Sequence, residues 1–124
     1  MTTTQIGAWA ESLALSHIKK SGWELFAHNF FCKGGEIDIV ARRHNILAFI
    51  EVKYRSNKRM GGAIASLTQL KQRRIIHSAQ VFLQTYPGLR KLDCRFDLIA
   101  VEGRNGSDGQ VQIQWLENAF ITLG

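Results

Sequence analysis

Residues 34–55 read GGEIDIVARRHNILAFIEVKYR, and two alternating runs inside them decide the fold. From Glu36 to Arg42, side chains of a strand would place Ile37, Ile39 and Ala41 on one face and Glu36, Asp38 and Val40 on the other. From Ile46 to Tyr54 the same rule sets Ile46, Ala48, Ile50 and Val52 against Leu47, Phe49, Glu51 and Lys53. Asn45 marks the turn between the runs. So short a connection predicts an antiparallel hairpin.

Glu51-Val52-Lys53 closes an apolar strand with two charges. A charge taken out of water there is costly unless it is paired or bound to a cation. Two positions apart on a strand, Glu51 and Lys53 project from one face, roughly 7 Å apart. Hairpin pairing brings Asp38 close to Glu51. Two carboxylates about 4 Å apart repel by ~4 kcal/mol at an effective dielectric of about 20, and a divalent cation turns that cost into attraction. Hard oxygen ligands favour Mg²⁺ or Mn²⁺. Such an ion polarises a phosphodiester and acidifies water, while Lys53 orients the water or steadies developing charge. Taken alone, Glu51-x-Lys53 is equally the pattern of a structural salt bridge at a strand end. Asp38 on the partner strand, the preceding Gly34-Gly35 and the basic segment that follows turn the reading towards a site.

Working outward, Thr4 is set to cap a helix running to about Ser21, with Gly22 as its stop and Ile6, Trp9, Ala10, Leu13, Ala14 and Ile18 as its apolar stripe. Glu11 departs from that stripe; it reads either as a surface residue or as an acid reaching a site at the sheet edge. Trp23–Phe31 reads as an aromatic-rich strand. Beyond the hairpin, Met60-Gly61-Gly62 is a joint, and Ser66-Leu67-Thr68-Gln69 has the capping-box pattern. The helix it opens runs to about Thr85, with Leu67, Leu70, Ile75, Ala79, Phe82 and Leu83 available for the core. Pro87-Gly88 ends it, and strands Cys94–Val101 and Gln110–Leu116 flank a Gly103–Gly109 loop. The expectation is a single α/β domain over residues 1–124, in the order helix, three strands, helix, two strands, with about five strands in a mixed sheet flanked by helices.

The chain carries 16 basic and 10 acidic residues, a formal charge of +6. Position matters more than the total. From Lys53 to Lys91 nine Lys and Arg residues occur and no Asp or Glu, a field that favours a polyanion. Arg55, Lys58 and Arg59 follow the site strand, and Lys71, Arg73 and Arg74 open the second helix; a nucleic-acid backbone would lie along them. The plain alternative is a solvated basic face. Cys32 and Cys94 form no CxxC, and the four histidines show no metal-binding spacing, so neither a zinc knuckle nor a disulfide framework is suggested. The polar opening Thr2–Gln5 and the lack of a long apolar run argue against a leader or a spanning segment, so a cytoplasmic location is expected and no membrane partner. A small chain gains from a shared interface, which leaves room for a homodimer. Asp97 on the Cys94–Val101 strand has two readings, a structural ion pair with Arg95 or a helix lysine, or a catalytic acid. The former is preferred, because the metal site is already supplied.

Asp38 followed on the next strand by Glu51-x-Lys53 resembles the PD-(D/E)xK nuclease superfamily, with Ile37 where the superfamily pattern commonly has proline. Glu11 in the first helix adds a likeness to Holliday-junction resolvases of archaeal type. More closely, Gly7-Ala8-Trp9-Ala10-Glu11, Gly35 to Ala41, Phe49 to Arg55, Lys71 with Arg74-Ile75, and Arg95 to Ile99 resemble the uncharacterised bacterial YraN-like family, from Gly7 to about Val101. The resemblance implies a restriction-endonuclease-like three-layer core. It implies Asp38, Glu51 and Lys53 as catalytic residues, and Asp38, Glu51 and Glu11 as ligands of Mg²⁺ or Mn²⁺. Glu36 is either a solvated acid or a support beside them. The expected activity is hydrolysis of DNA, with branched or junction DNA favoured. The alternatives are a nucleic-acid-binding module that keeps the acidic pocket without cutting, and a protein–protein adaptor that would bind neither metal nor DNA.

Overall fold

The computed structural model describes residues 2–56, 62–103 and 111–120. Helix α1 spans Thr3–Lys20, and strands β1, β2 and β3 span Glu24–Cys32, Gly35–Arg43 and Ile46–Arg55. A short helix α2 (Gly62–Ala65) precedes α3 (Gln69–Thr85), and a 3-10 turn over Pro87–Lys91 leads to β4 (Asp93–Glu102) and β5 (Gln112–Leu116). Apart from α2, this is the expected order. The strands form one mixed sheet in the order β1-β2-β3-β4-β5, antiparallel throughout except for the parallel β3–β4 pair.

A helix lies on each face. Ala10, Ala14 and Ile18 of α1 are buried with Ile39, Ala41, Ala48, Ile50, Ile99 and Val101. On the other face Ile75, Ala79 and Phe82 of α3 join Ile37, Val40, Leu47, Phe49, Phe96 and Leu98. Phe82 meets Phe30, Phe49 and Phe26 edge-on at 5.1, 5.8 and 5.7 Å, the favoured geometry for aromatic pairs. Burying that one ring contributes roughly 2–3 kcal/mol. The parallel β3–β4 pair needs a long crossover, and α3 falls within it, which is why the helix covers the central strand.

Several local readings need correction. The α1 cap is Thr2, not Thr4: its side chain accepts from Gln5 N–H while the Gln5 side chain accepts from Thr2 N–H, a reciprocal box. The α3 cap is Thr68, whose hydroxyl accepts from Lys71 N–H. Ser66 Oγ instead donates to the Ala63 carbonyl of α2. Leu70 is not in the core but 51% exposed. It lies five positions before Ile75, about 140° around the helix from the buried stripe. Met60 and Gly61 of the expected joint, Lys58, Arg59 and most of the Gly103–Gly109 loop lie outside the described residues.

One correction bears on the site. Ile37 packs on the α3 face while Ile39 packs on the α1 face, so the simple alternation of β2 breaks at Asp38. On β1, Asn29 falls between the pairs Phe30–Ile37 and His28–Ile39 and has φ of 55°, a left-handed conformation that asparagine tolerates. On the other side the β2–β3 pairing extends only to Ile39–Ile50; past it, Asp38 Oδ2 accepts the Val52 N–H at 2.9 Å. A side chain thus takes over where the backbone ladder stops.

Asp97 is fully buried and fully satisfied. Arg95 donates to it from Nε and a terminal nitrogen, Trp115 Nε1 at 2.8 Å and Asn118 N–H at 3.0 Å. The Arg95 guanidinium also stacks 5.2 Å from the centre of the Trp23 ring. This ties β5 and the segment after it to β4, in agreement with the structural-pair reading. Removing one partner of a buried pair strands the other, so Asp97→Ala should cost about 3–5 kcal/mol. Urea denaturation measures it; a loss below about 1 kcal/mol would show that the knot does not hold the sheet edge.

Candidate functional site

The end of β3 carries Glu51 and Lys53 beyond the last β2–β3 pair, and Asp38 stands across the gap. Two crevices open around this point, one beneath each helix layer. The crevice on the α3 side, about 470 Å³, is lined by Glu51, Lys53, Glu36, Lys71 and Arg74, with Phe31 and Leu67 at its walls. The one on the α1 side, about 460 Å³, is lined by Asp38, Glu51, Glu11, Glu36, Lys53 and Tyr54, again with Phe31. Glu51, Lys53 and Glu36 therefore face both. The acid pair lies on the inner strands β2 and β3, at the end of the sheet where their pairing stops.

Glu51 is 9% exposed, and its Oε1 is buried without a hydrogen-bond partner among the described residues. Burial first, and then the charge and side-chain contact of Asp38, push its carboxyl up from 4.5 to about 9; Lys53 and a backbone contact at Asp38 pull the other way. At neutral pH the acid holds a proton unless a cation displaces it. Glu11 is raised as well, by burial and then by Asp38, with its His28 contact opposing. His28 Nε2 lies 3.5 Å from Glu11 Oε2.

The site residues expected from the sequence fall into three groups. Asp38, Glu51, Lys53, Glu36 and Glu11 share one crevice. Lys71 and Arg74 wall the other side of the same acid. Lys71 is held below its ordinary amine range chiefly by Lys53, with Arg55 adding to it and Glu51 opposing, so these charges feel one another. Arg55 is exposed at the strand end, and Lys58 and Arg59 lie outside the described residues. Among the described residues, no three His, Cys, Asp or Glu side chains converge as a ready metal cage. Asp38 and Glu51 suit a hard cation, since a buried acid oxygen there has no partner among the described residues; Glu11 is engaged with His28.

Sequence reasoning missed His28 and Tyr54. The Tyr54 hydroxyl donates to the Gly103 carbonyl at 2.6 Å and its ring meets Trp9 edge-on at 5.5 Å, fixing the end of β3 against α1. Its place on the Ile46–Val52 face was the available signal. Gly35 was noted only as part of a glycine pair. A Cβ there would lie 2.7 Å from Ser78 Oγ and 3.2 Å from the Arg74 carbonyl, so glycine lets the hairpin tip press against α3.

A mixed sheet between two helix layers, with an acid pair and a lysine where adjacent strands part, defines an α/β protein with an acidic crevice in a basic surround. Residues 10–101 match the model described as "Uncharacterised protein family UPF0102", and the chain belongs to that family. It is 43% identical over 114 residues to a UPF0102 protein of Pseudomonas entomophila (strain L48), covering 92% of this chain and 91% of the relative. A UPF0102 protein of Saccharophagus degradans is 40% identical over 116 residues, covering 94% and 92%. One from Legionella pneumophila (strain Paris) is 39% identical over 118 residues, covering 95% and 96%. The YraN-like resemblance is thus borne out. No helix among the described residues is long and apolar enough to cross a membrane.

The raised carboxyl makes stability depend on pH in a definite sense. Between 4.5 and about 9 the unfolded chain has released the Glu51 proton while the folded chain still holds it. The contribution is therefore full below the lower value and is lost as pH rises through the upper. With divalent ions chelated, Tm should fall from pH 5 to pH 9, and Glu51→Gln should remove roughly 5 °C or more of that fall. Parallel pH curves for the two proteins would show that Glu51 titrates normally.

Proposed function

We propose that this chain is a divalent-cation-dependent DNA endonuclease, hydrolysing phosphodiesters at the crevice around Asp38, Glu51 and Lys53. The observation that carries the reading is the buried Glu51 oxygen beside Asp38, without a partner among the described residues and next to a wall of cations. Asp38 and Glu51 would hold Mg²⁺ or Mn²⁺, with Glu11 recruited if its His28 contact opens. When bound, such an ion neutralises charge on the phosphodiester and acidifies water. Lys53, on the face of Glu51, steadies charge on the departing strand and orients the nucleophile. Lys71 and Arg74 grip flanking phosphates, while Glu36 biases the crevice towards cations. Branched or junction DNA is the substrate that the PD-(D/E)xK and resolvase resemblance implies, and a two-fold homodimer would set two such sites at a fixed spacing.

A second reading has its own support. No three-ligand cage stands ready among the described residues, and Glu11 is paired with His28. A binding module that keeps the fold and the acid pair without cutting would look similar. Two variants separate the readings. Glu51→Gln should abolish Mn²⁺-dependent cleavage while leaving DNA binding without a cation intact, since the carboxyl it replaces is itself protonated and neutral at pH 7. Lys71→Ala with Arg74→Ala should flatten the salt dependence of binding by roughly two phosphate contacts, a log–log slope change of about 1.8. Salt-dependent binding with no cleavage under any divalent ion would favour the binding module. An unchanged slope in the double variant would reduce the basic wall to a solvated face.

A further inference from the structure

Phe31 is the most exposed large apolar side chain among the described residues, at 69%. Scattered apolar residues on a surface need no explanation. This one is not scattered: it lines both crevices that meet at Glu51, Lys53 and Glu36. In register it pairs with Glu36 near the tip of the β1–β2 hairpin. That tip is firmly seated. Gly35 packs against Ser78 and the Arg74 backbone, His77 Nε2 lies 3.1 Å from the Lys33 carbonyl, and Cys32 Sγ lies 3.4 Å from Ser78 Oγ.

We infer that Phe31 is a stacking platform for an unpaired nucleobase of the DNA strand that enters the crevice. The inference rests on the endonuclease or DNA-binding reading above. A planar ring held on a rigid hairpin, open to solvent beside Lys53, Lys71 and Arg74, combines the two features that hold single-stranded nucleic acid: cations for the backbone and a π face for the base. In an intact duplex the bases are stacked on one another and offer no free face. The substrate recognised at this position is therefore a strand with a single-stranded segment beside the bound phosphate.

The test places 2-aminopurine at the first unpaired position of a forked DNA, with divalent ions chelated so that nothing is cut. Wild-type protein should change its fluorescence, Phe31→Ala should abolish that change and weaken forked-DNA binding about tenfold, and Phe31→Trp should restore both. Blunt duplex affinity should stay within twofold in all three. Being exposed, Phe31→Ala should leave Tm unchanged, so a folding defect is separable. If Phe31→Ala binds forked DNA as wild type does while Lys71→Ala with Arg74→Ala loses affinity, the platform is overturned and the DNA reading survives. If the wild-type protein binds neither DNA, both fall. If Phe31→Ala converts a dimer to a monomer by ultracentrifugation with forked-DNA binding per chain unchanged, the ring serves a second copy of the chain and the platform is overturned.

Discussion

Placing the Glu51 carboxyl at the end of the central strand, beside Asp38 and away from water, costs free energy that the apolar layers on both faces must offset. The position is forced by β3. Leu47, Phe49 and Glu51 share a face, and the first two are wholly or almost wholly buried under α3. An acid placed next in that row follows them out of water. Asp38 reaches the same point because the β2–β3 ladder stops at Ile39–Ile50 and its side chain takes the next backbone donor. The fold thus confines two acids where only one negative charge is comfortable.

A second buried acid shows what a purely structural solution looks like. Asp97 lies on the neighbouring strand, opposite Ile50, and every contact around it is a donor: Arg95, the Trp115 indole and the Asn118 backbone. Glu51 has Asp38 as its close neighbour and an oxygen with no partner among the described residues. Two carboxyls at similar depth in one sheet therefore have opposite surroundings. Completing the second set of partners requires a proton or a cation, and the crevice is open enough to admit either.

The hairpin was legible because alternation and the Asn45 turn act locally, and α3 was legible from its apolar spacing and the Pro87-Gly88 stop. Leu70 was misplaced because a leucine at the start of a helix fits the pattern until the angle to Ile75 is counted. The break in β2 was not legible. It depends on Asn29 of another strand, and no pattern within Glu36–Arg42 carries that information. Asp38, Glu51 and Lys53 were found as a set from charge at the end of an apolar strand. The convergence of Lys71 and Arg74 on the same acid was suggested only by their place in the acid-free basic segment that follows Lys53. The His28–Glu11 contact joins residues 17 positions apart on different elements, beyond the reach of local pattern.

Whether the Glu51–Asp38 pair is a cation site is open to direct measurement by calorimetric titration with Mn²⁺ at pH 7 in two buffers of different ionisation enthalpy. Binding should displace the proton that Glu51 retains, releasing about one proton per ion, and the observed heat should therefore depend on the buffer. Asp38→Ala should lose the binding, and Glu51→Gln should lose the proton release. A wild-type protein that takes up no Mn²⁺, or binds it with no proton released and equally well without Asp38, would contradict the account.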